Sequence, residues 1–310
     1  MTGRMVRIGT RGSKLALAQA SLVRDDIRAM GLSAELVVIE TTGDRVQDRP
    51  LQELGGKGLF TREIEAVLIA GDIDMALHSL KDMPYKMPDG LKLACFPARE
   101  DPRDVLICPM DNVHALADLP QGSTVATGSL RRRAQLRRMR PDLQVIGIRG
   151  NVDTRLRKVQ TGHEGMDATI VAAAGLRRLG LVVPGAVPME RDQMLPAVCQ
   201  GLLGLQIRED DSALMTLLGP LNHAASATAA EAERAFLQTL QGDCNVPLAG
   251  HALVREASVS IRGLVCGPDG EPWHMDEVTR PVHQAAKAGE QLATQLLEKG
   301  AAEVLESCRG

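Results

Sequence analysis

Two stretches of this chain, "RIGTRGSKLALAQ" (Arg7–Gln19) and "TVATGSLRRRAQL" (Thr124–Leu136), repeat one local grammar. In each, a strand-like run reaches Thr, Gly and Ser and then opens a helix. A serine at that point caps the helix by accepting one of its free backbone N–H groups. Strand, tight turn and helix in that order carry the chain back across a sheet, so a parallel or mixed sheet covered by helices is expected. Used twice in 310 residues, the device predicts two related α/β lobes.

The rest of the alternation agrees. In the first half "MVRIGT", "SAELVVIE" and "DIDMALHS" read as strands, and "SKLALAQASLVRDDIRAM" and "FTREIEAVLIAG" as helices, the latter entered through the glycine-rich "LGGKG". The pattern restarts after the joint "PAREDPRD" (Pro97–Asp104): "STVAT", "LQVIGI" and "DATIVAA" are strands, "SLRRRAQLRRMR" and "NVDTRLRKVQ" helices, and "GLRRLG" a helical turn. "GLLGLQIRED" then reads as a strand leading to a helix that returns to the first lobe. Beyond "LLGPLN" the grammar changes to the helix "AEAERAFLQTL", a meander of "HALVRE", "SVSIRGLVC" and "PWHMDEV", and a helical tail. Strands followed by helices indicate a separate α+β domain. The expected division is residues 1–97 with 201–218, residues 103–196, and residues 222–310, giving two doubly wound, periplasmic-binding-protein-like lobes and a C-terminal α+β domain.

Charge then asks for a ligand. Between Gly128 and Lys158 ten Lys or Arg residues face only Asp142 and Asp153, a local excess of about +8 in a chain whose formal charge is −3. Ser13 and Ser129 cap helices that follow strands, with Arg11 just before the first and Arg131 and Arg132 just after the second. Arg149 closes a strand, Arg155 follows in the next helix, and Arg178 comes after "DATIVAA". In open α/β sheets ligands collect at the carboxyl ends of strands, so these arginines describe a cleft lined with guanidinium groups, suited to an anion.

Three anions compete for it. Nucleic acid is disfavoured by the net acidic charge and by aromatics at 2%, too few for stacking bases. A nucleotide is disfavoured because "GGKGLF" lacks the Walker spacing and no G-x-G-x-x-G is present. A small polycarboxylate suits bidentate arginine best. In "HSLKDMP", Lys81 and Asp82 sit at the same kind of strand end. Asp82 reads either as a group steadying a developing positive charge or as a turn aspartate beside its lysine. The six scattered cysteines form no C-x-x-C pair and the seven histidines show no ligand spacing, so no metal is expected. Arg133, Arg137, Arg138 and Arg140 read as a solvated helix face. No signal-peptide core or apolar run long enough to span a membrane is evident, so a cytoplasmic protein is expected.

In order along the chain, "IGTRGSKLALAQA", "GGKGLFTREIE", "HSLKDMP", "AREDPRD", "GSLRRRAQL", "IRGNVDTRL", "AGLRRLG" and "GDCNVPLAG" resemble the porphobilinogen deaminases, also called hydroxymethylbilane synthases. The resemblance implies head-to-tail joining of four porphobilinogen molecules, with loss of ammonia each time, on a covalent dipyrromethane primer. It implies Cys244 as the attachment point and Asp82 as the catalytic carboxylate. By motif, Ser79, Lys81, Thr127, Ser129, Arg131, Arg132 and Arg155 would hold the primer. Arg11, Ser13, Arg149 and Arg178 would face porphobilinogen or the growing chain, and Lys57 and Phe60 belong to a lid loop. No nucleic-acid or membrane partner is implied, and a monomer is expected. The competing class is a two-lobed binding protein for a free polyacid, which needs neither Cys244 nor Asp82. The chain departs from the family pattern at Asp243, Cys199 and Glu53. An adjacent Asp243 carboxylate would raise the thiol pKa and slow primer attachment.

Overall fold

The computed structural model describes residues 5–45, 58–242 and 246–309. Expectations placed on Glu53, Lys57, Asp243 and Cys244 fall outside these residues. The chain divides into two compact units, Met1–Glu100 with Gly201–Ala230, and Asp101–Gln200 with Glu231–Gly310.

The first unit opens with β1 (Met5–Thr10), α1 (Lys14–Ala29) and β2 (Ser33–Val38). A short α2 (Thr42–Arg45), then α3 (Arg62–Ala70), β3 (Met75–Ser79) and β4 (Leu91–Cys95) follow. The second unit begins with β5 (Asp104–Ile107), β6 (Thr124–Ala126), α4 (Leu130–Met139) and β7 (Gln144–Ile146). It continues through α5 (Val152–Gln160), β8 (Ala168–Ala172), α6 (Ala173–Arg178) and β9 (Ala186–Met189). The chain then returns to the first sheet as β10 (Leu203–Arg208), followed by α7 (Ser212–Leu218).

The two sheets share one topology. The first has the order β2-β1-β3-β10-β4 and the second β7-β6-β8-β5-β9. Three strands in each run parallel, and the fourth, β10 or β5, is antiparallel to its neighbours. The repeated grammar appears as matched caps: the Ser13 hydroxyl accepts from the Ala16 N–H at 3.3 Å, and the Ser129 hydroxyl from the Arg132 N–H at 3.4 Å.

Both lobes are three-layered. In the first, Val23 and Ile27 of α1 and Leu214 of α7 close one sheet face with Val6, Ile8, Met75 and Leu77, while Ile64 and Leu68 of α3 close the other. In the second, Leu136 of α4 packs with Leu106, Val125 and Ile170, and Leu156 and Leu176 cover the opposite face with Val105, Ile107 and Val171. The two α/β lobes were therefore legible in the period of the apolar positions. The alternation did not announce β4, β5 or β9. For β5 the reason is burial on both sides, since a four-residue apolar run with no exposed face has no period to read.

The C-terminal segment comprises α8 (Ala224–Thr239), the antiparallel sheet β11 (Leu248–Arg255), β12 (Ser258–Cys266) and β13 (Trp273–Pro281), then α9 (Ala285–Leu296) and α10 (Ala302–Arg309). α8 starts six residues before the expected Ala230, because the Ala-rich run ahead of it also favours helix. The tail is broken at Gly300, where φ is +104°. Phe236 fills the space above the side-chain-free Gly250 and Gly263 of the sheet, and Gly289 lets α9 approach the backbone of α8 at Ala232.

One expectation is refined here. Arg137 and Arg138 lie on a solvated face but pair there with the exposed Asp269 and Glu271, and Arg138 also lies over the Trp273 ring at 4.7 Å. Arg140 folds back on Asp142 at 2.7 Å and donates to the Leu116 and Leu119 carbonyls. These arginines spend their charge within the second unit, docking α4 on the β12–β13 turn and on the loop before β6.

Candidate active site

In the first unit the expected residues lie at the carboxyl ends of β1 and β3. Arg11 follows β1 immediately, and its guanidinium engages the Asp44 carboxylate, with Nη2 at 2.6 Å. The Phe60 ring centroid lies 3.9 Å from the same guanidinium, a cation–π contact. Arg11, expected to face substrate, and Phe60, expected in the lid loop, are thus brought together. Burial pushes the Asp44 carboxyl upward, but hydrogen bonds from Arg11 and Thr41 outweigh it and hold the group below its ordinary range. Sequence reasoning passed over Asp44.

β3 ends at Ser79, whose hydroxyl donates to Gln19 Oε1 at 3.1 Å. A single 3-10 turn, Leu80–Asp82, then carries Lys81 and Asp82 to the surface, where both are exposed. The turn hangs on its buried apolar residue: Leu80 is 1% exposed and its N–H bonds to the Leu202 carbonyl at 3.0 Å. His78 is buried and bonds to Gln206, which in turn donates to Glu65.

In the second unit, Thr127 and Ser129 form the turn between β6 and α4, the Thr127 hydroxyl accepting from the Ser129 N–H at 3.2 Å. Arg131 and Arg132 then occupy the first turn of α4, and both are buried. Their first partner is internal and was not anticipated. The Asp104 carboxylate, fully buried at the start of β5, accepts from Arg131 Nη1 at 2.7 Å and from Arg132 Nε and Nη2 at 3.1 and 2.7 Å. Gln200 Nε2 adds a fourth donor at 3.0 Å. Arg131 Nη1 also reaches the Leu195 carbonyl, and Arg132 Nη1 the Ile170 carbonyl. Arg131 Nε is buried with no hydrogen-bond partner among the described residues. The one available signal for Asp104 was an acidic residue heading the apolar run "VLIC", which a loop assignment concealed.

Arg155, half-buried on α5, donates to the Gly150 carbonyl at 2.8 Å. Burial, with the neighbouring charges of Arg132 and Arg149, brings its pKa down to about 10. Burial would raise the Asp104 carboxyl, yet the two guanidiniums hold it ionised far below the usual carboxylate range. Arg131 is lowered by burial against the attraction of Asp104. Arg149 and Arg178 are half-buried at the ends of β7's following loop and of α6. Four arginines therefore act on one another, and Asp104 binds two of them. Such a cluster can hold a polyanion, because each added carboxylate relieves repulsion already present.

The departure at Cys199 places a buried thiol at φ +63°, its N–H bonded to Glu233. Among the described residues no group of three or more His, Cys, Asp or Glu could hold a metal, and no helix is long and apolar enough to cross a membrane.

Comparisons place this chain among known proteins. Residues 6–216 match the family model "Porphobilinogen deaminase, dipyromethane cofactor binding domain", and residues 227–298 match "Porphobilinogen deaminase, C-terminal domain". The porphobilinogen deaminase of Syntrophotalea carbinolica is 48% identical over 98% of this chain and 96% of its own length. That of Paracoccus denitrificans is 47% identical over 97% and 96%. Among solved structures, the methionine-binding protein MetQ is a loose likeness, 13% identical with a TM-score of 0.43 over 70% of this chain and 89% of that one.

Proposed function

The chain belongs to the porphobilinogen deaminase family, and from that premise we propose which of its residues carry out the family's reaction. The reaction joins four porphobilinogen molecules head to tail, losing ammonia at each addition, to give the linear hydroxymethylbilane. The enzyme is a transferase of tetrapyrrole biosynthesis, primed by a covalent dipyrromethane. When bound, the dipyrromethane would supply the nucleophilic pyrrole α-carbon that the first unit joins, each later unit joining the free end of the lengthening chain.

The residues present fit such a group. Its acetate and propionate side chains are carboxylates, and the second unit offers mutually repelling guanidiniums with an orphaned, buried Arg131 Nε–H. Arg131, Arg132 and Arg155, with Thr127, Ser129, Ser79 and Lys81, hold these carboxylates by charge-assisted hydrogen bonds. Arg11, Ser13, Arg149 and Arg178 take the carboxylates of incoming porphobilinogen or of the lengthening chain. Lys57 and Phe60 cover the bound substrate.

Asp82 is the catalytic carboxylate. As ammonia leaves porphobilinogen, positive charge spreads over its pyrrole ring, and a fixed carboxylate accepting the ring N–H stabilises that charge. An exposed aspartate in a turn anchored by Leu80 can reach a substrate without rearranging the sheet. Cys244 provides the thiolate that forms the thioether. The observation that carries this reading is the mutually repelling cluster of Arg131, Arg132, Arg149 and Arg155, of which Asp104 binds two, at strand ends where a primer's carboxylates can be gripped.

The enzyme works in the cytoplasm as a monomer and without nucleic acid. In support, Cys95, Cys108, Cys266 and Cys308 are free thiols. Arg137, Arg138 and Arg140, which would meet phosphates in a nucleic-acid binder, are folded onto the protein's own carboxylates.

Intact mass, before and after Cys244→Ser, tests the reading. An excess equal to two porphobilinogen units less their ammonia is expected, and its absence in the variant. An unmodified parent mass that does not grow on incubation with porphobilinogen would overturn it.

A further inference from the structure

Asp104 lies in no motif assigned a role above, yet it is the meeting point of the second unit's polar interior. Its two oxygens are divided between the arginines. Oδ2 takes Arg131 Nη1, while Oδ1 takes the Nε/Nη2 fork of Arg132 and the Gln200 amide. The Gln200 amide also donates to the Pro102 carbonyl at 2.7 Å. Each guanidinium has a second tether, Arg131 to Leu195 O and Arg132 to Ile170 O, both at 2.7–2.8 Å. The planes of two adjacent arginines are therefore set by bonds from three directions.

We propose that Asp104, seconded by Gln200, is a positioning residue that sets the Arg131 and Arg132 guanidiniums for the carboxylates they bind. This rests on the reading above that those arginines hold the dipyrromethane. Two observations favour positioning over mere charge balance. A single carboxylate leaves the arginine cluster cationic, so it does not cancel the site. The five internal bonds to the pair also use only part of the roughly ten N–H groups two arginines carry. Donors with fixed planes lose less freedom on binding a planar carboxylate than free side chains do.

A second aspartate provides the control. Asp101 also carries two arginines of the same unit, Arg103 at 2.9 Å and Arg177 at 3.1 Å, neither of which is assigned to the ligand. Asp104→Asn and Asp101→Asn should both lower the melting temperature, as losses of ion-paired carboxylates. Below both melting temperatures, Asp104→Asn should show at least a fivefold lower primed fraction by intact mass. Its primed molecules should show a KM for porphobilinogen raised about tenfold, and Asp101→Asn should match the parent in both. Equal primed fraction and KM in folded Asp104→Asn would overturn the proposal. If Asp104→Asn does not fold, Gln200→Leu removes one donor to the same oxygen and keeps the arginines. A raised KM in that variant supports the proposal, and parent-like values overturn it. An unprimed parent would instead defeat the reading on which the proposal rests.

Discussion

Arg132 meets Asp104 as a fork, its Nε and Nη2 lying 3.1 and 2.7 Å from one carboxylate oxygen, with both side chains buried. A buried carboxylate is stable only while its partners remain. Removing Arg132 would leave the buried Asp104 charge to Arg131 and Gln200 alone, and depriving a buried ion of a partner costs far more than the net worth of the pair.

Arg132→Ala should therefore destabilise the second unit by about 3–5 kcal/mol. Chemical denaturation followed by circular dichroism measures it. A loss below about 1 kcal/mol, the range of an exposed pair, would show that the fork is solvated in solution.

Asp82 gives the opposite pattern. It is exposed and sits on a turn held by Leu80, so Asp82→Asn should leave the melting temperature unchanged while turnover falls by about 10²–10³. Porphobilinogen consumption, measured on protein whose mass confirms the primer, separates the two effects. Parent-like turnover would remove Asp82 from the mechanism.

Acid should distinguish the carboxylates by burial. Asp104 and Asp101 are both held below their ordinary value of 3.8, although burial alone would raise them. A carboxyl depressed in the folded state contributes stability that is complete above its unfolded pKa. That contribution is lost as pH falls through the depressed folded value. Unfolding free energy should then be level above about pH 5 and decline below the ordinary carboxylate value, and Asp104→Asn should flatten the decline. An acid slope identical in parent and variant would contradict the assignment.

Much of the site was legible because its residues sit where local grammar puts them. Ser13 and Ser129 are recognisable as caps from three or four neighbours, and Arg11, Lys81, Asp82 and Arg131 follow from strand ends. Asp104 and Asp44 were missed for a common reason. Each acts through an arginine distant in sequence, 33 residues away for Asp44 and 27 for Asp104, and no local pattern marks that pairing. The partners of Arg137 and Arg138, Asp269 and Glu271, were missed because they come from a segment more than a hundred residues on.

The sequence by itself determined the α/β class, the twofold use of one strand-to-helix turn, the sulfur and charge inventory, and the family. These are properties of short windows, where the period of apolar residues and the capping chemistry act over a single turn. Tertiary structure alone decided which guanidiniums stay available to a ligand and which are spent on the protein. That division depends on which carboxylate each meets once β5 is laid between β8 and β9, and on how much water the surrounding side chains remove. Burial and long-range pairing are products of the closed fold, so they could be found only there.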